Sequence, residues 1–313
     1  MVFSFHKSTL VIALTAASVG FFAPVAVKAT DATMYYDCCK PSGSWMGKAP
    51  VYNPVATCLA DGKTIVTGPK RDDPNSSGCG GGNEFQCSCQ QPWTDAINPT
   101  VGYAFAAMTS TTESENECAC YVATFSGAKS GKVNTLFYQV INDGGDVTSD
   151  GLDILVPGMG VGAMTQGCKN QWPNSDISKW GKQYGGLDRD AAGCKNLPED
   201  LQHGCMWRMT DWGDSVTMQG KPQRVRCSKG HIDRTGCQRK DEPSTTFQGH
   251  YDSAHNGPAP DGYTPNPAVC NIGAGGNSKR TVSSNGQPFV ARRHHQAHPV
   301  ASRHASQAST CPV

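Results

Sequence analysis

The sequence predicts an all-β fold, a small β-barrel with loop-built surfaces. Three observations predict it. Short β-prone runs recur between glycine-rich turns. Cysteines are frequent and scattered, 15 in 313 residues. Long loops with glycine and asparagine separate the runs, in a chain with 35 glycines. Charged residues make up 17% and the formal net charge is +1, so the whole chain has no electrostatic signature of nucleic-acid binding.

Taken in order, residues 1–29 read as a signal peptide. His6 and Lys7 precede an apolar stretch from Leu10 to Val27, and Val27-Lys28-Ala29 meets the small-residue cleavage rule. Thr15, Ser18, Gly20 and Pro24 dilute the stretch, which argues against a membrane anchor, and no later segment is apolar enough to span a bilayer. Export agrees with the cysteines. Structural zinc does not: Cys87/Cys89 and Cys118/Cys120 are C-x-C pairs, no C-x-x-C occurs, and no metal is expected.

Residues 30–241 hold thirteen of the cysteines and all six tryptophans, and form the expected folded unit. Cys120–Phe125 and Thr135–Ile141 read as strands, and Gln223–Cys227 alternates as a half-buried strand should. Val101–Met108 fits a short helix or a buried strand, and periodicity does not decide. From 242 to 313 the chain is rich in Pro, Gly, Ser, Asn and His without periodic apolar pattern, and reads as a disordered, weakly basic tail. Residues 30–261 carry 20 basic and 26 acidic side chains, a balance that suits a neutral substrate better than a phosphate polymer.

Two aspartates stand out. Asp37 lies in Tyr35-Tyr36-Asp37-Cys38-Cys39-Lys40-Pro41, held by a double cysteine. Asp153 lies in Leu152-Asp153-Ile154-Leu155-Val156-Pro157-Gly158, an apolar run ending in a turn. Two held carboxylates in an exported, disulfide-rich chain point to acid/base hydrolysis, with a sugar polymer as the first substrate class. Apolar flanks raise the pKa expected of Asp153, whereas Asp37 is expected to be the more solvated of the two.

These motifs resemble glycoside hydrolase family 45, secreted endoglucanases. The resemblance runs from Tyr35–Ser42 through Trp45, Cys118-Ala119-Cys120-Tyr121, Gly144-Gly145-Asp146, Leu152-Asp153 and Pro157–Gly162. It continues through Gln183-Tyr184-Gly185-Gly186, Gly204–Arg208 and Arg234–Cys237, covering about 33–240 in the family's order. It implies a six-stranded double-psi β-barrel with long disulfide-linked loops, a few short helices and a substrate groove. It implies hydrolysis of internal β-1,4-glucosidic bonds with inversion, no cofactor, a β-1,4-glucan as partner and a secreted monomer. By position, Asp37 is the general base, Asp153 the general acid and Asp146 an assisting aspartate. Tyr35, Trp45, Lys40 and Tyr184 are substrate-binding. An inverting pair needs one protonated and one ionised carboxyl, roughly 6.5–9.5 Å apart to admit water.

The resemblance also implies six bridges: Cys38–Cys168, Cys39–Cys79, Cys58–Cys87, Cys118–Cys237, Cys120–Cys227 and Cys194–Cys205. A seventh family bridge is missing, because Gly43 and Glu117 stand at its two positions. Cys89, Cys270 and Cys311 are left over, with Cys270–Cys311 a candidate pair and Cys89 a candidate free thiol. Gly151 stands where the family often has histidine, and Asp143 and Asp150 add carboxylates near the acid.

A second reading is a non-hydrolytic, expansin-like wall-loosening or glucan-binding protein, which would lack the base at Asp37. A third is a purely structural disulfide scaffold. His294, His295, His298 and His304 resemble a metal tract, but a basic tail explains them more simply. Gly158–Gly162 lacks the Lys-Ser/Thr ending of a phosphate loop.

Overall fold

Six strands close into a ring. A computed structural model describes residues 30–109, 112–126, 132–144, 151–213, 217–249 and 251–271. The expected signal peptide, Asp146, Asp150, the four tail histidines and Cys311 lie outside the described residues. The strands are β1 (Thr30–Tyr35), β2 (Thr57–Cys58), β3 (Phe85–Gln86), β4 (Trp93–Thr94), β5 (Val101–Met108), β6 (Cys120–Ser126), β7 (Thr135–Asp143), β8 (Leu152–Leu155) and β9 (Thr217–Val225). Their order is β4-β5-β7-β6-β9-β1-β8, and β8 pairs back onto β5. That last pairing removes the open edge and makes a six-stranded barrel, with β4 as an outlier. Two pairs, β1–β8 and β5–β7, are parallel and the other four antiparallel. This is the double-psi barrel that the resemblance implies.

Val101–Met108 is a strand, with seven of its eight residues buried. It lies between β7 and β8 and is covered on both faces, so it has no alternation to read. Its alanines Ala104 and Ala106 face a core built with Leu136, Tyr138, Val140 and Ile154. Each fully buried aliphatic side chain there contributes roughly 1.5–3 kcal/mol. A second apolar cluster of Phe105, Ile141, Leu155 and Val55 lies behind Tyr35.

Seven disulfides link the described residues. Six are Cys38–Cys168, Cys39–Cys79, Cys58–Cys87, Cys118–Cys237, Cys120–Cys227 and Cys194–Cys205. The seventh is Cys89–Cys270. This corrects the expected Cys270–Cys311 pair and the free thiol at Cys89.

The folded chain also extends past 241. Residues 242–249 and 251–271 pack on the barrel: Phe247 meets Phe137 edge-on at 5.6 Å, Ala259 and Cys270 are buried, and the Arg226 N–H donates to the Thr245 carbonyl at 2.8 Å. The Tyr263 hydroxyl donates to Asp233 at 3.0 Å. Single anchors separated by polar and Pro/Gly stretches leave no period in the sequence, which is why composition alone reads this stretch as tail. The double variant Cys89→Ser/Cys270→Ser is expected to cost about 2–5 kcal/mol. Thermal unfolding should show the loss, and limited proteolysis should release 242–271 first.

Candidate active site

The two parallel strands β1 and β8 bring the singled-out aspartate regions together. Thr33 lies beside Asp153, and Tyr35 beside Leu155. Across β8's other edge Asp153 pairs with Ala107. A bulge in the β5–β7 pairing then places Asn142, not Ile141, opposite Ala107. Asn142, Ala107, Asp153 and Thr33 therefore form one lateral row across four strands. Lateral neighbours share a face, so the bulge brings Asn142 round to the face of Asp153, next to Ile141, which packs with Phe105 and Leu155 in the apolar cluster on that face. Leu152 and Ile154 point the other way, into the barrel core.

Tyr35 lies one pleat period along from Thr33 on this face. Its hydroxyl accepts a hydrogen bond from Asn142 Nδ2 at 2.9 Å. Burial first, and then the charges of Asp37 and Asp153, push its pKa well above the ordinary tyrosine value. The phenol is half-buried and stays protonated.

Asp37 follows β1 by two residues. Its Oδ1 accepts the Cys39 N–H at 2.9 Å, a tight local turn. Cys38 between them sits in the left-handed region, φ 63°. That conformation costs an L-residue roughly 1–2 kcal/mol, and the bridge to Cys168 holds it. Gly167 closes on the same point: a Cβ there would stand 2.3 Å from the Asp37 carbonyl oxygen, so no larger residue fits. Burial raises the Asp37 pKa to about 6, against the smaller opposing pull of the Cys39 N–H. Asp37, expected to be the more solvated of the two aspartates, is half-buried, and so is Asp153.

A sequence model of glycosyl hydrolase family 45 matches residues 29–238. The chain belongs to glycosyl hydrolase family 45. It is 47% identical over 251 residues to "Endoglucanase 1" of Mycosarcoma maydis, an alignment that covers 79% of this chain and 63% of the relative, so the chain spans less than two thirds of that protein. It is 39% identical over 212 residues to "Endoglucanase" of Cryptopygus antarcticus, covering 67% of this chain and 89% of the relative. The crystal structure of a cellulase from the Antarctic springtail Cryptopygus antarcticus superimposes with a TM-score of 0.59 at 38% identity, covering 68% of this chain and 97% of that one.

The remaining family 45 positions fall into different places. Lys40, expected to bind substrate, is buried at 3% exposure. Its ammonium pairs with Glu84 Oε2 at 2.9 Å and donates to Ser76 Oγ at 2.9 Å and to the Arg71 carbonyl. An ammonium has three N–H groups. All three are used inside the fold, so Lys40 is corrected to a structural cation that also supports the Trp45 ring, 4.4 Å from its nitrogen. Trp45 is half-buried. Tyr184 is 68% exposed. It rides on a turn closed by paired backbone hydrogen bonds between Lys182 and Gly186, at 2.9 and 3.1 Å.

A cavity of about 280 Å³ lies beside the end of β1, lined by Tyr36, Gly160, Val161, Ile177, Trp180 and Gln183 among others. The Tyr36 N–H donates to the Gly160 carbonyl at 2.8 Å, which joins the cavity wall to the residue before Asp37. Sequence reading missed Asn142, which holds the Tyr35 hydroxyl, and the link from Asn142 through Ser42 to Glu117. Asn142 stands in the sequence directly before the acidic run Asp143-Gly144-Gly145-Asp146.

Proposed function

We propose that this chain is an endo-β-1,4-glucanase that cleaves internal bonds of cellulose and related β-glucans with inversion. The observation that carries the reading is the parallel pairing of β1 with β8 in a family 45 barrel, which sets Asp153 beside Thr33 on the strand that leads directly into the Asp37 turn. Asp153 is the proposed general acid, protonating the leaving glycosidic oxygen. Asp37 is the proposed general base, taking a proton from the attacking water on the opposite face of the sugar. Asp146 is proposed to assist.

The base must be ionised to work, so activity on this reading rises as pH passes about 6. Tyr35, Trp45 and Tyr184 are proposed to stack on sugar faces, since pyranose C–H faces suit flat aromatics. The apolar cavity next to Tyr36 would hold one sugar ring along the groove. We propose a secreted monomer; no helix of the described residues is long and apolar enough to cross a membrane.

The test is viscosity loss and reducing-sugar release on soluble carboxymethylcellulose, with NMR of the first-formed anomer. Rapid viscosity loss with an α-anomer product is expected. A β-anomer would refute inversion. Glucan binding without hydrolysis would favour the expansin-like reading.

A further inference from the structure

Glu117 is buried, 1% exposed, and the proposed reaction gives it no part. It occupies space that glycine leaves open. A Cβ at Gly43 would stand 2.4 Å from Glu117 Oε2 and about 3.0 Å from Val55. Ser42, one residue earlier, donates its hydroxyl to Glu117 Oε1. The same hydroxyl oxygen accepts the Asp143 N–H at 2.6 Å. The Ser42 N–H donates to Asn142 Oδ1 at 2.9 Å, and Asn142 Nδ2 donates to the Tyr35 hydroxyl. From the far side, Arg239 Nη1 donates to the Glu117 carbonyl at 2.8 Å.

Three parts of the active-site wall meet here. Ser42 belongs to the turn that follows Asp37. Asn142 and Asp143 end β7, from which the chain runs on to β8 and Asp153. Tyr35 ends β1. Gly43 and Glu117 are also the two positions where the family resemblance implies a bridge. Their contact shows that the two segments still abut, joined by a hydrogen bond instead of a covalent one.

We propose that Glu117 is a positioning residue, whose hydrogen bond to Ser42 clamps the Asp37 turn to the end of β7 and so holds Asn142 and Tyr35 in place on the face that carries Asp153. The proposal rests on the hydrolase reading above. A buried carboxyl costs more to desolvate than an apolar filler of similar size. Filling space alone does not call for one, whereas accepting the Ser42 hydroxyl does. Displacing a catalytic group by about 1 Å can cost about 100-fold in rate, so a clamp at this point acts on turnover more than on substrate binding.

The experiment compares kcat and KM per folded molecule on a soluble cello-oligosaccharide, below every variant's Tm. Glu117→Ala is expected to lose about 10- to 100-fold in kcat with KM nearly unchanged. Glu117→Gln keeps an acceptor for Ser42 and is expected to stay within about threefold of the parent on the same argument. Ser42→Ala, which leaves Glu117 in place, is expected to fall in the same direction as Glu117→Ala. Glu117→Cys alone should be slow, and Gly43→Cys/Glu117→Cys should recover kcat where mass spectrometry shows the added bridge.

The clamp is overturned if Glu117→Gln is as slow as Glu117→Ala, or if Glu117→Ala lowers Tm but keeps full kcat. It is also overturned if the bridged double variant is no faster than Glu117→Cys. Where bridging is incomplete, the Gln–Ala comparison decides. An inactive parent would instead refute the hydrolase reading, so the two failures are distinguishable.

Discussion

Asp153→Asn is expected to lower kcat on carboxymethylcellulose by about 10³-fold, within the range that general acid catalysis contributes. The leaving group is a sugar alkoxide, a poor one unless it is protonated as the bond breaks. Asparagine keeps the shape and loses the proton. Asp153 sits in a four-strand row with Ala107 on one side and Thr33 on the other, so the substitution disturbs no apolar packing of Leu152 or Ile154.

The sharper measurement uses a substrate whose leaving group needs no proton, such as a dinitrophenyl β-cello-oligosaccharide. Asp153→Asn should retain most of its rate there while failing on the polymer. Equal loss on both substrates would take the acid role from Asp153. A variant that keeps a tenth or more of the parent rate on carboxymethylcellulose would do so too.

Asp37→Asn is expected to lose activity by a similar factor, about 10³-fold, on both substrates, because water must be deprotonated whichever group leaves. It is also expected to gain stability. In the fold burial raises the Asp37 pKa to about 6 from its ordinary 3.8. A carboxyl raised on folding binds its proton more tightly in the native state. It therefore weakens the fold progressively from pH 3.8 to pH 6 and by a constant amount above that. Asparagine carries no charge and still offers Oδ1 to the Cys39 N–H.

Allowing for the partial exposure of Asp37, the gain at pH 8 is about 1–2 kcal/mol. At pH 3 parent and variant should differ little. Denaturant unfolding at the two pH values measures both. Loss of stability at pH 8 would mean that the carboxylate is held favourably and that burial is not what sets its pKa. Retained hydrolysis would remove the base assignment.

Together these outcomes would describe Asp37 as a base whose burial costs stability and serves reaction. Cys38 in a left-handed conformation, the bridges at Cys38 and Cys39, and Gly167 pressed against the Asp37 carbonyl hold that carboxyl where an unconstrained chain would solvate it. Such local strain persists where surrounding structure over-determines the conformation.

Local sequence carried much of this. Asp37 beside two cysteines and Asp153 in a short apolar run are contiguous motifs, legible without any contact map. The β-prone runs at 120–125 and 135–141 were legible too, because half-buried or strongly β-branched strands carry their own pattern. What the tertiary structure decided depends on pairings between distant segments. Val101–Met108 became a strand because β7 and β8 cover both its edges. Lys40 turned inward because Glu84, 44 positions away, offers it a partner in a dry site. Cys270 found Cys89 across 181 residues, since closure depends on which anchors dock and not on composition. The β5–β7 bulge, invisible in the sequence of either strand, decided that Asn142 joins the row of Asp153. A residue's type is a local property, but its face, its partner and its desolvation are set by whatever the rest of the chain packs against it.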